Sequence, residues 1–411
     1  MASVPQQHVR LRIEQVVAGG DGLAREASGR VVFVPGVLPG EEVAVRLVTA
    51  KRDFARGELV EVLTPAPARV SPPCAALRRG CGGCDWQHAD PAQQAALKVE
   101  VVREALRRTA RMPDVDVTVG GSVPSSAYRT SMRVAVDRAG RVSLRRPRTN
   151  EPVPLDHCLV AHPLLDELVH GARFVGADEV SLRVSAATGE RSVWWTTARP
   201  GERVVPDGLG SDVTVGPDAV VHEVVAGRRY RVSGESFFQS GPAAAELLVD
   251  TVRESGGDTL AGARTVLDAY GGIGLFAGSL ATTAPDATFI VVEGSAAACA
   301  DAAVNLADLD AEVVCSPVET WTPSPVDVVI ADPSRHGLGR DATAVLVATG
   351  APMVLLVGCD PVAFARDAAL LGEAGYRLTR ATTLDLFPQT HHVEVVGRFE
   401  RNTSGGPADE S

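Results

Sequence analysis

From Gly241 to about Phe399 the chain alternates apolar, strand-like runs with helical ones, and this alternation narrows the possible folds more than any other feature. Strands separated by helices predict a parallel α/β sheet. Four runs stand out: "ARTVLDAYGGIGLFAGSLA", "ATFIVVEGS", "VDVVIADPSRHGLG" and "MVLLVGCDPVAFARD". Their strands end at or near Asp268, Glu293, Asp332 and Cys359. In a parallel sheet these ends share one edge, where ligands bind, so the four side chains are expected to converge. Gly271, Gly272 and Gly274 follow the first strand and let backbone approach a nucleoside-bearing ligand. They do not form the G-x-G-x-x-G of a dinucleotide site. Glu293, 25 residues after Asp268, suits both hydroxyls of a ribose. "TLDLFPQTHHVEVVGRFER" closes the domain as a hairpin, with Glu394 in an apolar run whose alternation alone points it to solvent. Cys359 alone reads as a small core residue. Its place beside three acids moves it toward chemistry.

The N-terminal half differs. Residues 1–150 carry 23 Lys/Arg and 15 Asp/Glu, a balance of +8, whereas residues 151–411 carry 17 and 36, a balance of −19. An acidic half repels nucleic acid and a basic half binds it, so the charge fits a bipartite nucleic-acid protein better than the net −11 does. Short strands over 8–63 suit a small barrel of the oligonucleotide-binding type. Pro65–Pro73 is a linker. Asp90 caps a helix over 90–111 that begins with Pro91. Residues 128–155 read as paired strands with seven arginines, and 163–235 as mixed and strand-rich.

Cys74, Cys81 and Cys84 have the spacing C-x6-C-x2-C, with Cys158 a fourth candidate after a gap of 73 residues. Such thiolates hold zinc or an iron–sulfur cluster, and the spacing leaves both open. His88 is a possible fifth ligand, although a hydrogen-bonded structural role fits it better. The start has no apolar core of a secretory signal, and no apolar run approaches the ~18 residues of a membrane span. A cytoplasmic chain without a disulfide framework is expected.

Together these segments resemble the S-adenosylmethionine-dependent RNA 5-methyluridine (uracil-C5) methyltransferases, the cluster-bearing 23S rRNA and tRNA type with an N-terminal TRAM barrel. The resemblance rests on "CGGCDWQH" at Cys81–His88, "FFQ" at Phe237–Gln239, "DPSRHG" at Asp332–Gly337, "GCDPVAFARD" at Gly358–Asp367 and the Asp385–Glu394 segment. It implies a TRAM barrel (1–66), a β-rich iron–sulfur central domain (67–235, its 90–111 helix packing on the catalytic domain), a Rossmann-like methyltransferase domain (236–402) and a disordered tail (403–411). It further implies that Cys359 is the nucleophile adding to uracil C6 and Glu394 the base. Gln239, Tyr270, Glu293 and Asp332 would bind S-adenosylmethionine. Cys74, Cys81, Cys84 and Cys158 would hold a [4Fe–4S] cluster, with zinc as the alternative. The expected substrate is RNA, rRNA ahead of tRNA, and the expected state a monomer. A methyltransferase acting on another nucleic-acid atom or a small molecule, and an RNA-binding cluster protein with little catalysis, are the competing readings. Four residues depart from the family pattern: Ser334, Asp360, Gly271 and Leu275. Asp360 sets a carboxylate beside the thiol and disfavours the thiolate unless it is paired elsewhere.

Overall fold

The computed structural model describes residues 8–199 and 201–402; the tail expected at 403–411 lies outside them. Five strands, His8–Val16, Gly22–Arg25, Val31–Val34, Glu42–Ala50 and Phe54–Thr64, close into a barrel. Alternate side chains point inward, so Leu11, Ile13, Val32, Val34, Val43 and Val45 fill it. The buried Glu41 carboxylate ties the barrel to the linker, accepting from Leu38 N (2.8 Å), Ala66 N (3.2 Å) and Arg69 Nη2 (2.7 Å).

The central unit is a six-stranded sheet in the order Val213–Val215, Arg191–Thr196, Glu179–Val184, Ser131–Val136, Val142–Arg145 and Pro152–Pro154. The helix Pro163–Gly171 packs on it through Leu165, Leu168 and Val169. Its arginines are mostly engaged: Arg133 and Arg145 both donate to Glu179 (2.7 and 2.8 Å), and Arg148 reaches Asp21 of the barrel (3.0 Å).

The C-terminal unit, the expected catalytic domain, is an eight-stranded sheet. Its order is Ala311–Cys315, Thr288–Glu293, Thr265–Ala269, Val328–Ala331, Met353–Gly358, Glu394–Arg401, Tyr376–Asp385 and Val117–Ser122. The first five strands are mutually parallel. The hairpin Tyr376–Asp385/Glu394–Arg401 then adds an antiparallel pair. Apolar layers cover both faces, as the continuous Val-, Ile- and Leu-rich strands require.

Two segments expected in the central domain belong here instead. Val117–Ser122 extends this sheet, parallel to Tyr376–Asp385. The hairpin Val220–Val225/Arg228–Ser233 buries Val221, Val225, Tyr230 and Val232 in the catalytic core. The expected span 67–235 therefore merges the central unit with two pieces of the catalytic one. Short β runs look alike in sequence wherever they pair, because the partner strand is remote in the chain.

The helix expected over 90–111 runs regularly over Pro91–Ala105, with the Asp90 carboxylate accepting from Ala92 N (3.0 Å), and continues as a wider π turn over Leu106–Ala110. It lies against Val117–Ser122 and Tyr376–Asp385. From it Lys98 reaches into the interior. Its ammonium donates to Asp385 (2.6 Å) and to the Phe387 carbonyl (3.2 Å), with the two paired side chains 1% and 2% exposed. Gln94 donates to the Trp86 and Ala89 carbonyls and accepts from Gln389 N (2.7 Å).

Removing one partner of a buried pair strands the other charge in a medium of low dielectric, at a cost of about 3–5 kcal/mol. Lys98→Ala is expected to lower the urea midpoint accordingly. The apolar double replacement Lys98→Met/Asp385→Leu should recover most of that loss, and equal midpoints for Lys98→Ala and wild type would show the pair to be inert.

Candidate active site and cysteine cavity

Each predicted strand-end residue sits at the carboxyl edge of the catalytic sheet. Asp268 is fully buried; its Oδ2 accepts from Ala277 N (3.1 Å), and its Oδ1 has no hydrogen-bond partner among the described residues. Burial pushes its carboxyl up to about 7, and the Asp332 and Glu293 carboxylates add to the shift. Tyr270 then turns the chain in the left-handed region (φ 59°), and its hydroxyl donates to Glu319 (2.7 Å). Gly271 follows where a Cβ would stand 2.6 Å from Val291, so no larger residue fits without displacement. Glu293 accepts from Gly272 N (3.0 Å) and Ser295 N (2.7 Å), which joins the glycine loop to the second strand.

Gln239 approaches from the segment after the Arg228–Ser233 strand, with its amide nitrogen 3.5 Å from Asp332 Oδ2. A cavity of about 40 Å³ opens between Phe238, Gln239, Tyr270, Gly271, Gly272 and Asp332. Three of the four expected cofactor residues, Gln239, Tyr270 and Asp332, line it. Glu293 lies behind the loop, one hydrogen bond away through Gly272. Phe237, at the mouth, is 70% exposed.

The expected nucleophile and base meet through strand register. Gly358 pairs antiparallel with Val395, so the next step along the ladder sets Cys359 against Glu394. Glu394 is buried, against its solvent-facing alternation, because both faces of this sheet are covered. Burial raises its carboxyl well above the usual range, with Asp332 adding and Arg335 opposing. The Cys359 thiol is pushed up to about 12, by burial first and then by the Glu394 and Asp332 carboxylates; Arg335 pulls it back. Asp332 itself is raised to about 7 by burial.

Asp360 does not face the thiol as an unpaired anion. It is the N-cap of the helix Pro361–Glu373, accepting from Val362 N (2.9 Å) and Ala363 N (2.8 Å). Arg335 and Asp367 are contributors that strand-end reasoning overlooks. Asp367 accepts from Leu338 N (2.7 Å) and Gly339 N (3.1 Å) and so shapes the loop that carries Arg335. Gly337 bends there with φ 71°, where a Cβ would meet Asp367 Oδ2 at 2.0 Å. The signal was present in "DPSRHG": a lone cation among acids that must share one edge.

Cys74, Cys81, Cys84 and Cys158 line one cavity of about 110 Å³ with Gln87 and Arg129. Burial raises the Cys81 and Cys158 thiols and pushes Cys84 up to about 12, so free thiolates are disfavoured without a cation. Gly83 packs where a Cβ would come 2.5 Å from Leu144. The four thiols border the cavity rather than meeting at a point: among the described residues no three His, Cys, Asp or Glu side chains are set to hold a single metal ion. His88 is not part of this lining; it is buried elsewhere, with Nε2 unpartnered among the described residues. No helix of the described residues is long and apolar enough to cross a membrane.

A sheet of this order with a glycine loop at its carboxyl edge, joined to a small barrel, defines a methyltransferase-type catalytic unit carrying an accessory domain. The comparisons agree. Residues 5–60 match the TRAM domain. An uncharacterized RNA methyltransferase of Streptomyces avermitilis is 35% identical over 97% of this chain and 99% of its own length. One of Streptomyces coelicolor is 36% identical over 98% and 95%. The chain therefore belongs to the RNA methyltransferase family. In fold it is similar to the Pyrococcus abyssi tRNA (uracil-54, C5)-methyltransferase solved with S-adenosyl-L-homocysteine, with a TM-score of 0.73 and 23% identity over 95% of this chain and all of the other.

The thiolate is the reactive form of cysteine, so a raised thiol reacts slowly near neutrality and about tenfold faster per pH unit as pH climbs toward its pKa. Peptide-level mass spectrometry of iodoacetamide labelling should show this slope at Cys359. At pH 9 Asp332→Asn is expected to speed its labelling and Arg335→Met to slow it. Labelling of Cys359 that is flat from pH 7 to 9 would contradict this electrostatic account.

Proposed function

We propose that the protein transfers a methyl group from S-adenosylmethionine to C5 of a specific uridine in RNA, with rRNA the first expected substrate and tRNA the second. One observation carries the reading: the register that sets a half-buried thiol, Cys359, against a buried carboxyl, Glu394, beside the cavity lined by Gln239 and Asp332. Uracil C5 is a poor nucleophile. Attack of the Cys359 thiolate at C6 forms the S–C6 bond and moves the C5=C6 electron pair through C4 onto O4, giving an enolate with a nucleophilic C5. S-adenosylmethionine, when bound, would supply an electrophilic methyl group to C5, with neutral S-adenosylhomocysteine as the leaving group. Glu394 then takes the C5 proton, and the electron pair of that C–H bond re-forms C5=C6 as the Cys359 thiolate leaves. A carboxyl held well above its usual range is suited to that proton. Arg335 offsets negative charge while the thiolate and enolate form.

The residues present fit the cofactor. Gly271 and Gly272 offer backbone at close approach, Asp268 keeps an unpartnered buried oxygen behind them, and Glu293 stands at the second strand end. The four cysteines fit a cluster: four thiols border one cavity whose burial disfavours free thiolates. Cys74, Cys81, Cys84 and Cys158 would hold a [4Fe–4S] group that orders the central unit, with zinc as the alternative.

Incubation with unmodified rRNA and tRNA, followed by nucleoside analysis, is expected to yield 5-methyluridine. Cys359→Ala should transfer no detectable methyl, and wild-type turnover by that variant would sink the mechanism. Glu394→Gln should accumulate an RNA–protein adduct stable to denaturing gels, because addition and methylation precede the proton step. A product methylated on nitrogen or oxygen would favour the competing reading.

Protein purified without oxygen is expected to be brown, with absorbance near ~400 nm from thiolate-bound iron. Cys84→Ser should lose the colour. A colourless protein with one zinc per chain would replace the cluster with a zinc site.

A further inference from the structure

The helix Ala296–Asn305 follows Glu293 and carries two buried polar residues, Asp301 and Asn305, four apart and so on one face. Neither belongs to the cavity lining or to any motif noted in the sequence. Asp301 is fully buried and crowded with donors. Its Oδ2 accepts from Ser233 N (2.8 Å), Ser233 Oγ (2.7 Å) and Ser236 Oγ (2.6 Å), and its Oδ1 pairs with Arg231. One turn later, Asn305 accepts from Arg231 N (2.7 Å) and donates to the carbonyls of Arg231 and Ile273, each at 3.0 Å.

These bonds end on or next to two segments that line the 40 Å³ cavity. Ser236 immediately precedes Phe237, Phe238 and Gln239. Ile273 lies in the glycine loop Gly271–Gly274. A single helix face therefore grips the Gln239 wall through Asp301 and the glycine wall through Asn305. The Ser233–Ser236 turn is held from its other side by Arg183, which donates to the Ser233 and Ser236 carbonyls (2.5 and 2.6 Å). A carboxylate with three hydrogen-bond donors and a guanidinium on it fixes a turn far more tightly than backbone pairing alone.

We infer that Asp301 is a positioning residue: through Ser236 it aims Gln239 at Asp332 and sets the width of the cofactor cavity, with Asn305 holding the facing loop at the matching distance. This rests on the reading of that cavity as the S-adenosylmethionine site. Asp301 touches neither cofactor nor RNA, so its effect is confined to cofactor affinity and to the alignment of Gln239.

The test measures S-adenosylhomocysteine affinity by calorimetry and steady-state KM for each substrate, on wild type, Asp301→Asn, Ser236→Ala and Ser236→Thr. Ser236→Ala removes one hydroxyl, with its bonds to Asp301 and to Ser233 Oγ (2.9 Å), and leaves the Arg231 and Ser233 bonds to Asp301 in place, so it remains informative where Asp301→Asn fails to fold. Asp301→Asn and Ser236→Ala are expected to weaken cofactor binding about tenfold and to raise KM for S-adenosylmethionine alike, with KM for RNA unchanged. Ser236→Thr restores the wild-type value. Their effects combine to less than the product in the double variant, because both break one linkage. If folded Ser236→Ala binds S-adenosylhomocysteine within about twofold of wild type, or if the loss falls in kcat with KM unchanged, the inference is overturned. Failure of wild type itself to bind S-adenosylhomocysteine would instead remove the reading of the cavity.

Discussion

The site depends on one strand pairing. Met353–Gly358 is the fifth strand of a parallel run, and its next neighbour, Glu394–Arg401, enters antiparallel. In an all-parallel sheet every strand would bring only its carboxyl end to the ligand edge. The reversal brings an amino end there, so the last residue before the turn on one strand meets the first residue of the other. Cys359 and Glu394 are neighbours for that reason, although 34 residues separate them. A slip of one residue would turn Glu394 to the other face of the sheet, so the register is a chemical constraint as well as a packing one.

That register is defended by a segment far away in the chain. The loop between the hairpin strands, Leu386–Val393, is held by groups from residues 85–128. Lys98 pairs with Asp385 and the Phe387 carbonyl, Gln94 with Gln389, Asp85 with His391 N (3.0 Å), and the Tyr128 hydroxyl with the Pro388 carbonyl (3.2 Å). Trp86, almost fully buried, donates its indole N–H to Gly20 of the barrel (3.2 Å), and its backbone N–H to Gln389 (2.9 Å). Barrel, cysteine segment and the loop that leads into Glu394 are thus one bonded unit. Burial works against both Lys98 and Asp385, pushing the ammonium down and the carboxyl up, and the attraction between them offsets part of that cost.

What the sequence made legible follows from locality. Strand ends, the glycine turn and the Asp90 cap are set by residues within a few positions of one another, and they stand where local reasoning puts them. Cys359 was readable because a parallel sheet has a single ligand edge. Glu394 was misjudged by alternation, since the covering of both faces is a property of the whole sheet. Val117–Ser122 and the Val220–Ser233 hairpin carried no local mark of the sheet or core they join. Asp301 was invisible for the same reason: an acid in a short Ala-rich helix reads as solvent-facing until its partners from residues 231–236 fold over it.

The carboxylate beside Cys359 makes sense in the same terms. A helix N-terminus directs partial positive charge at whatever precedes it, and a cysteine at that position gains thiolate character. Here Asp360 takes the amides of Val362 and Ala363 for itself. The capping requirement of the helix is met by this side chain, of a type that suits a helix N-terminus. Cys359 therefore receives little help from its own helix, and its counter-charge must come from the Pro333–Gly339 loop, where Arg335 stands. The position of that loop is fixed by Asp367, on the same helix two turns further along. The helix thus bears on the thiol indirectly, through the loop it holds in place, and the carboxylate at its start is compatible with the nucleophilic role proposed for Cys359.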